Sequence, residues 1–202
     1  MRFRSYLLAL LAVVPMAILA RPKLLQHVPL QWRATSDLRL GAAPLTKTSV
    51  VFESFQDVRD NRQSIGENEE DEKPLPVTTD DDVGAFVSTH MRELFDKAGL
   101  VTVSHDGGVT IRGEIKRFYV RETSTYQAEV IVHVTVLDQD GQKLWSGEAT
   151  GDAKRFGRSY SLENYYEVLS DAIVNATSSM LQSEEFERAL AGHGRPAVTA
   201  PG

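Results

Sequence analysis

The chain has 202 residues, 42% hydrophobic and 25% charged, a balance that fits one globular domain with tails. Its formal net charge is -6 with no dense basic stripe, which argues against nucleic-acid binding. Cysteine is absent, so disulfides, thiolate metal sites and a cysteine nucleophile are excluded.

Met1 to Ala20 reads as a secretory signal. Arg2 and Arg4 form a positive start, Tyr6 to Leu19 is almost wholly apolar, and Ala17-Ile18-Leu19-Ala20 offers a small-residue cleavage site. The run is shorter than the roughly 20 residues that span a bilayer comfortably, and Pro15 interrupts it. The alternative is an uncleaved anchor, with Arg21 and Lys23 at its far end. Either way the body is expected to leave the cytoplasm. Residues 21–44, punctuated by Pro22, Pro29 and Pro44, are expected to form an extended arm or a linker, with Trp32 buried against the sheet, the alternative being a contact with a partner.

Thr48 to Phe55 is a strand candidate. Asp57 to Thr79 follows with almost no periodicity and predicts a long structureless connection, of the kind that is mobile or functional. Its acidic run of Glu67, Glu69, Glu70, Asp71 and Glu72 lacks the interleaved Asp/Asn/Gly spacing of a calcium loop and reads as solvated. Asp80, Asp81 and Asp82 then crowd the start of a helix, where a capping oxygen and negative charge are both favourable. Val83, Phe86, Val87, Met91, Leu94, Phe95 and Ala98 repeat at helical spacing, and Gly99 supplies the stop. Leu100 to Val103 predicts a short strand.

Val109 to Gly151 predicts three consecutive antiparallel strands. From Tyr126 to Val136 the even positions are Tyr126, Ala128, Val130, Val132, Val134 and Val136, a strand with one apolar face. Upstream the apolar phase flips near Lys116-Arg117, which predicts a β-bulge. Asp140-Gly141 marks the hairpin to the Trp145 strand. Gly151 to Tyr160 links to a last helix in which Ser161 is the candidate cap. Leu162, Tyr165, Tyr166, Leu169, Ile173, Ala176 and Met180 form its buried stripe, and a break is expected near Ser183. Residues 192–202, rich in Gly, Pro and Ala, are expected to be a disordered tail.

None of the spacing-defined catalytic motifs is present, and His27, His90, His105, His133 and His193 lack metal-ligand spacing. No cofactor and no metal are expected. Lys154, Arg155 and Arg158 with Phe156 and Tyr160 offer a weak anion-holding reading near a helix N-terminus; a solvated loop explains them as well.

The order strand, loop, helix, short strand, three-strand meander, helix, behind an export signal, resembles the YajG-like family of bacterial envelope lipoproteins. More broadly it is similar to small α+β accessory domains of the TolB amino-terminal type. The residues that carry the resemblance are Phe55-x-Asp57-x-Arg59, Ile65-Gly66, Ala98-Gly99-Leu100, Arg112-Gly113-Glu114-Ile115, Tyr126-x-Ala128-Glu129-Val130, Gly147, and Leu169-Ser170-Asp171-Ala172. The resemblance implies a non-enzymatic envelope protein. Those lipoproteins carry a cysteine where this chain has Arg21, so lipid attachment at that position is chemically closed.

The fold expected is a single α+β domain over 45–191, with a four- or five-stranded, mainly antiparallel sheet. Two helices pack on one of its faces, in the order β-α-β-β-β-β-α. The function expected is a non-catalytic, periplasmic-side accessory protein that binds an envelope protein partner, with membrane association through residues 1–20 if they are retained. The partner surface expected is Asp57, Arg59 and Arg62 together with Lys154, Arg155, Phe156, Arg158 and Tyr160. The alternative is a lipid or small-ligand carrier with a pocket between sheet and helices.

Overall fold

Alternation in the valine-rich stretch sets the architecture. Tyr126, Val130, Val132, Val134 and Val136 are all fully buried, while Ile131, His133 and Thr135 between them are half-buried on the opposite face. The computed structural model describes residues 27–41, 49–70, 72–157 and 161–191. The expected signal segment and the expected tail lie outside them.

The described elements are β1 (Ser49–Phe52), β2 (Gln56–Asp57), β3 (Ser64–Asn68), β4 (Leu75–Thr78), α1 (Val83–Lys97), β5 (Val101–Val103), β6 (Val109–Glu122), β7 (Thr125–Leu137), β8 (Lys143–Phe156), α2 (Leu162–Leu181) and α3 (Glu184–Leu190). Over the described residues the molecule is α+β, with three helices and one mixed sheet. Strands β6, β7 and β8 form the expected antiparallel meander. The ladder shifts register between Ile115 and Arg117, which is the bulge that the phase flip predicts. At the second hairpin Gly141 takes φ +77°, and the Asp138 carboxylate accepts from the amides of Asp140 and Gln142.

Eight strands join where four or five were expected, and the difference lies in the stretch read as structureless. The far edge of β6 is occupied in succession by β1, β2 and β3, all parallel to it; β5 adds outside β1 and β4 outside β3. The strands that the sequence did not show, β2, β3 and β4, are pieces of two to five residues, too short for an alternating pattern to show. Their order is imposed by the open edge of β6 rather than by their own sequence. Ile65 and Val77 supply the local core, both fully buried. A side chain at Gly66 would overlap the carbonyl of Val120, so the close approach of β3 to β6 requires glycine.

Helices α1 and α2 cover one face of the sheet. On α1, Asp82 accepts from the Ala85 amide as the cap, and Gly99 at φ +93° ends the helix. Phe86 of α1 meets Phe118 edge-on, and Phe95 meets Phe52. Ser161 precedes α2 without a side-chain cap bond; its amide donates instead to the Tyr126 hydroxyl. Ser183, at the predicted break, does cap α3 through the Phe186 amide. Trp145 packs edge-on to Phe186 of α3.

Helix α2 is buried nearly all round, its polar Ser170, Asp171, Thr177 and Ser178 included, because residues 27–41 run across it as an arm. Asp171 accepts from the amides of Thr35 (2.6 Å) and Ser36 (2.8 Å) and from the Thr35 hydroxyl (2.7 Å). The Arg33 and Arg39 amides donate to the hydroxyls of Ser170 and Ser178. Trp32 is half-buried against the core and its ring contacts are with α1: it stacks on His90, ring centroids 4.2 Å apart, and meets Phe86 edge-on. Ser170, Asp171 and Ser178 are thus met by the arm's backbone, while the Thr177 hydroxyl donates to the Ile173 carbonyl of its own helix, an arrangement that helical periodicity alone does not reveal.

Candidate functional site

The first half of the expected partner surface is a structural staple. Asp57 and Arg59 leave only 12% and 7% of their side chains exposed. A guanidinium carries five N–H donors. In Arg59 they go to both oxygens of Asp57 and to the carbonyls of Arg62, Ser64 and Phe118. The Arg59 group also lies over the Phe118 ring, 5.8 Å from its centroid. Burial pushes the Asp57 carboxyl up, but the hydrogen bonds and charge of Arg59 outweigh it and hold the group below its usual value. Neither charge is presented to a partner; together they pin the turn before β3 onto β6.

Arg62 is exposed and borders a surface hollow of about 400 Å³ with Phe55, Asp57, Thr79, Asp80, Asp81 and Asp82. Asp81 and Asp82 are already engaged there, by the amides of Leu30 and Ala85.

The second half of the expected surface sits across the sheet. Strand β8 is separated from β2 by β6 and β7, three strand spacings or about 14 Å. The two halves therefore do not converge. Arg155 turns toward α2 and the arm, donating to the Thr35 hydroxyl (2.7 Å) and pairing with Glu167 (2.6 Å). Lys154 is exposed, and Phe156 is 83% exposed, the most open large hydrophobic residue among those described. Arg158 and Tyr160 lie outside the described residues. Of the candidates, Lys154 and Phe156 remain together on open surface.

One polar cluster has no signature in the sequence. Glu122 is fully buried at the end of β6 and accepts from the hydroxyls of Tyr126 (2.7 Å) and Tyr165 (2.8 Å). Burial first, then the neighbouring Glu122 carboxylate, raises both phenols, that of Tyr126 to about 12. Glu122 and Tyr165 are 43 positions apart, so no spacing rule could have joined them.

The outer face of the sheet carries matched charges: Arg112 with Glu53, Lys116 with Glu114, Arg117 with Glu129, and Arg121 with Glu69. His133 Nε2 lies 2.9 Å from the Ser146 hydroxyl on this face. Among the described residues no group of three or more His, Asp or Glu side chains is arranged to hold a metal. The carrier alternative calls for space between sheet and helices. There Ile115, Val130, Val132, Tyr165, Leu169 and Ile173 are buried in one continuous core, with at most 2% of any of them exposed.

No family model matches the sequence, and no curated protein matches it. The three-dimensional comparison is positive. The chain shares its fold with a DUF330 protein from Xanthomonas campestris, at a TM-score of 0.52 and 12% identity, over 75% of this chain and 93% of that one. Looser overlaps are found with a candidate lipoprotein from Caulobacter crescentus (TM-score 0.45, 10% identity, 65% and 94% covered). The PelC dodecamer from Paraburkholderia phytofirmans gives a TM-score of 0.40 at 16% identity, with 71% and 93% covered. The mixed α+β architecture is thus one that a solved protein shares, and this holds without detectable sequence kinship.

Proposed function

We propose that this chain is a non-catalytic accessory protein of the bacterial cell envelope, working on the periplasmic side by binding another protein. Two features support the location: the apolar stretch from Tyr6 to Leu19 behind Arg2 and Arg4, and a fold shared with a DUF330 protein. The binding role rests on one observation, Phe156, an aromatic ring 83% exposed at the end of the edge strand β8 beside the exposed cation of Lys154. Exposed aromatic anchors next to a polar rim are where interface energy concentrates. Asp57 and Arg59 drop out of the surface because each is consumed by the other.

Two measurements test this reading. Cell fractionation with mass determination of the mature N-terminus decides between a released periplasmic protein and one held by residues 1–20; recovery in the cytoplasm refutes the location. Affinity capture from detergent extracts, wild type against Phe156→Ala, tests the surface. The variant should lose its principal partner while keeping the wild-type melting temperature, and unchanged capture refutes the role of Phe156.

A further inference from the structure

The sequence Asp-Gly occurs twice, at Asp106-Gly107 and at Asp140-Gly141, and both aspartates are exposed. Such a pair can close on itself. The glycine nitrogen attacks the aspartate Cγ, water leaves, and a five-membered imide forms; glycine puts no side chain in the way of the attack. Water then reopens the imide at either carbonyl. Opening at Cγ restores aspartate. Opening at the other carbonyl leaves isoaspartate, whose backbone is one carbon longer, with no net change in atoms.

The fold treats the two pairs differently. In the β7–β8 hairpin the attacking group is tied: the Gly141 amide donates to the Asp138 carbonyl at 3.1 Å, and the Asp140 amide to the Asp138 carboxylate at 2.9 Å. Between β5 and β6 the Gly107 amide donates to no acceptor among the described residues. Asp106 stands at φ +56°, in the left-handed region, so the rotation that brings its Cγ onto the Gly107 nitrogen starts from a conformation already costly to an L residue. A proton donor is also in place. His105 Nδ1 lies 2.7 Å from Asp106 Oδ2, on side chains 81% and 92% exposed. As the imidazolium it gives a proton to the oxygen that leaves Cγ as water, and it recovers one when water reopens the ring.

We propose that Asp106 is a site of spontaneous isoaspartate formation, favoured over Asp140 by the untied Gly107 amide and by His105. The inference goes beyond the function proposed above and does not depend on it. Its consequence falls on β1. The Gly108 amide donates to the Ser49 carbonyl (2.8 Å) and hydroxyl (3.1 Å), and a Cβ at Gly107 would lie 2.8 Å from the Val51 nitrogen. An extra backbone carbon at Asp106 displaces this close contact, so chains that carry isoaspartate hold β1 less firmly.

The test ages the full chain at neutral pH in heavy-oxygen water, once folded and once in urea. Each passage through an imide leaves a heavy oxygen in one tryptic peptide, 98–112 for Asp106 or 122–143 for Asp140. In the folded chain 98–112 should label about fivefold faster or more, fivefold being the rate equivalent of the one hydrogen bond that Gly141 must break. In urea the two rates should converge. Equal or faster labelling of 122–143 in the folded chain, or an unchanged ratio in urea, overturns the proposal. His105→Gln should slow the labelling of 98–112 several-fold and leave 122–143 unchanged; an unaltered rate at 98–112 overturns the part given to His105. In the aged chain hydrogen exchange at the amides of β1 should quicken while that of β7 stays as it was, and an unaltered β1 overturns the loosening.

Discussion

At the scale of single residues, charge and burial decide what each group is for. Asp57 and Arg59 form a bidentate pair that leaves no donor spare, and breaking such a buried pair strands a charge at a cost of about 3–5 kcal/mol. Arg59→Lys offers three donors in place of five and cannot span the same acceptors, so we expect a loss of about 2–4 kcal/mol in urea unfolding. The pair also has a pH signature. The Asp57 carboxyl is depressed in the folded state, so its contribution is complete above the ordinary value of 3.8 and is lost as the pH falls through the lower folded value. Urea midpoints measured from pH 6 to pH 2 should show this loss in the wild type. Asp57→Asn should lack that component while being weaker already at pH 6. Tyr126 and Tyr165 behave in the opposite sense. Their raised folded values favour the neutral phenol, so stability is intact below pH 10 and declines as the pH rises through the folded values, about 12 for Tyr126 and higher for Tyr165. Absorbance at 295 nm should show three phenols that stay protonated until the chain unfolds, those of Tyr126, Tyr165 and Tyr119, the last also pushed up by burial to about 12. In Tyr165→Phe one of the three should vanish, with a loss of about 1–3 kcal/mol as Glu122 gives up a buried donor.

At the scale of elements, the meander, the helices and the apolar strands β1 and β5 were legible, whereas β2, β3, β4 and the end of β8 were not. Strands β6 and β7 announce themselves through long alternation, and even the bulge shows as a phase slip, whereas β8 is legible only from Leu144 to Thr150 and runs on to Phe156 through the stretch expected to be a link. Strands β2, β3 and β4 hold two, five and four residues, and what makes them strands is the edge of β6, which no local pattern reports. The same limit hid the site. Asp57 and Arg59 were visible as charges, but not that they face each other, and Phe156 was visible as an aromatic, but not that its ring stands in solvent. Gly151 is a further case. It reads as a plain turn glycine after β8, yet it lies within the strand, and a side chain there would overlap the Ala172 carbonyl and the Ala176 amide. Small residues on both elements let α2 settle directly onto β8. Gly151→Ala must push the helix off the strand. Overpacking of this kind costs about 1–3 kcal/mol, and we expect the upper end because the obstruction is backbone and cannot rotate away. Gly141→Ala, with open space at its Cβ but φ +77°, should cost only about 1 kcal/mol. Melting curves of the two variants side by side would check the order.

At the scale of the whole molecule, the sheet is closed off by different means at each end. The outer edge of β8 has its Thr150 and Asp152 carbonyls taken by Ser179 and Asn175 of α2, and the outer side of β4 is met by the arm at His27 and Val28. Strand β5 is left with three residues, too few to template another strand. The fold therefore has two tiers. The meander with α2 is long, continuous and covered, whereas β1 to β5 hang on one side of β6 as fragments. Free energies of local opening should follow that division, because each fragment is held by a few hydrogen bonds and one or two buried side chains. Native-state hydrogen exchange would resolve it. Amides of Val130, Val132 and Val134, on a strand paired on both sides, should exchange only through global unfolding and depend steeply on denaturant. Amides of β3 and β5 should exchange through smaller openings with little denaturant dependence. Should β3 instead follow the same steep isotherm as β7, the fragments and the meander would be one cooperative unit. The Asp57–Arg59 staple would then be what fuses them, and Arg59→Lys should separate the two isotherms.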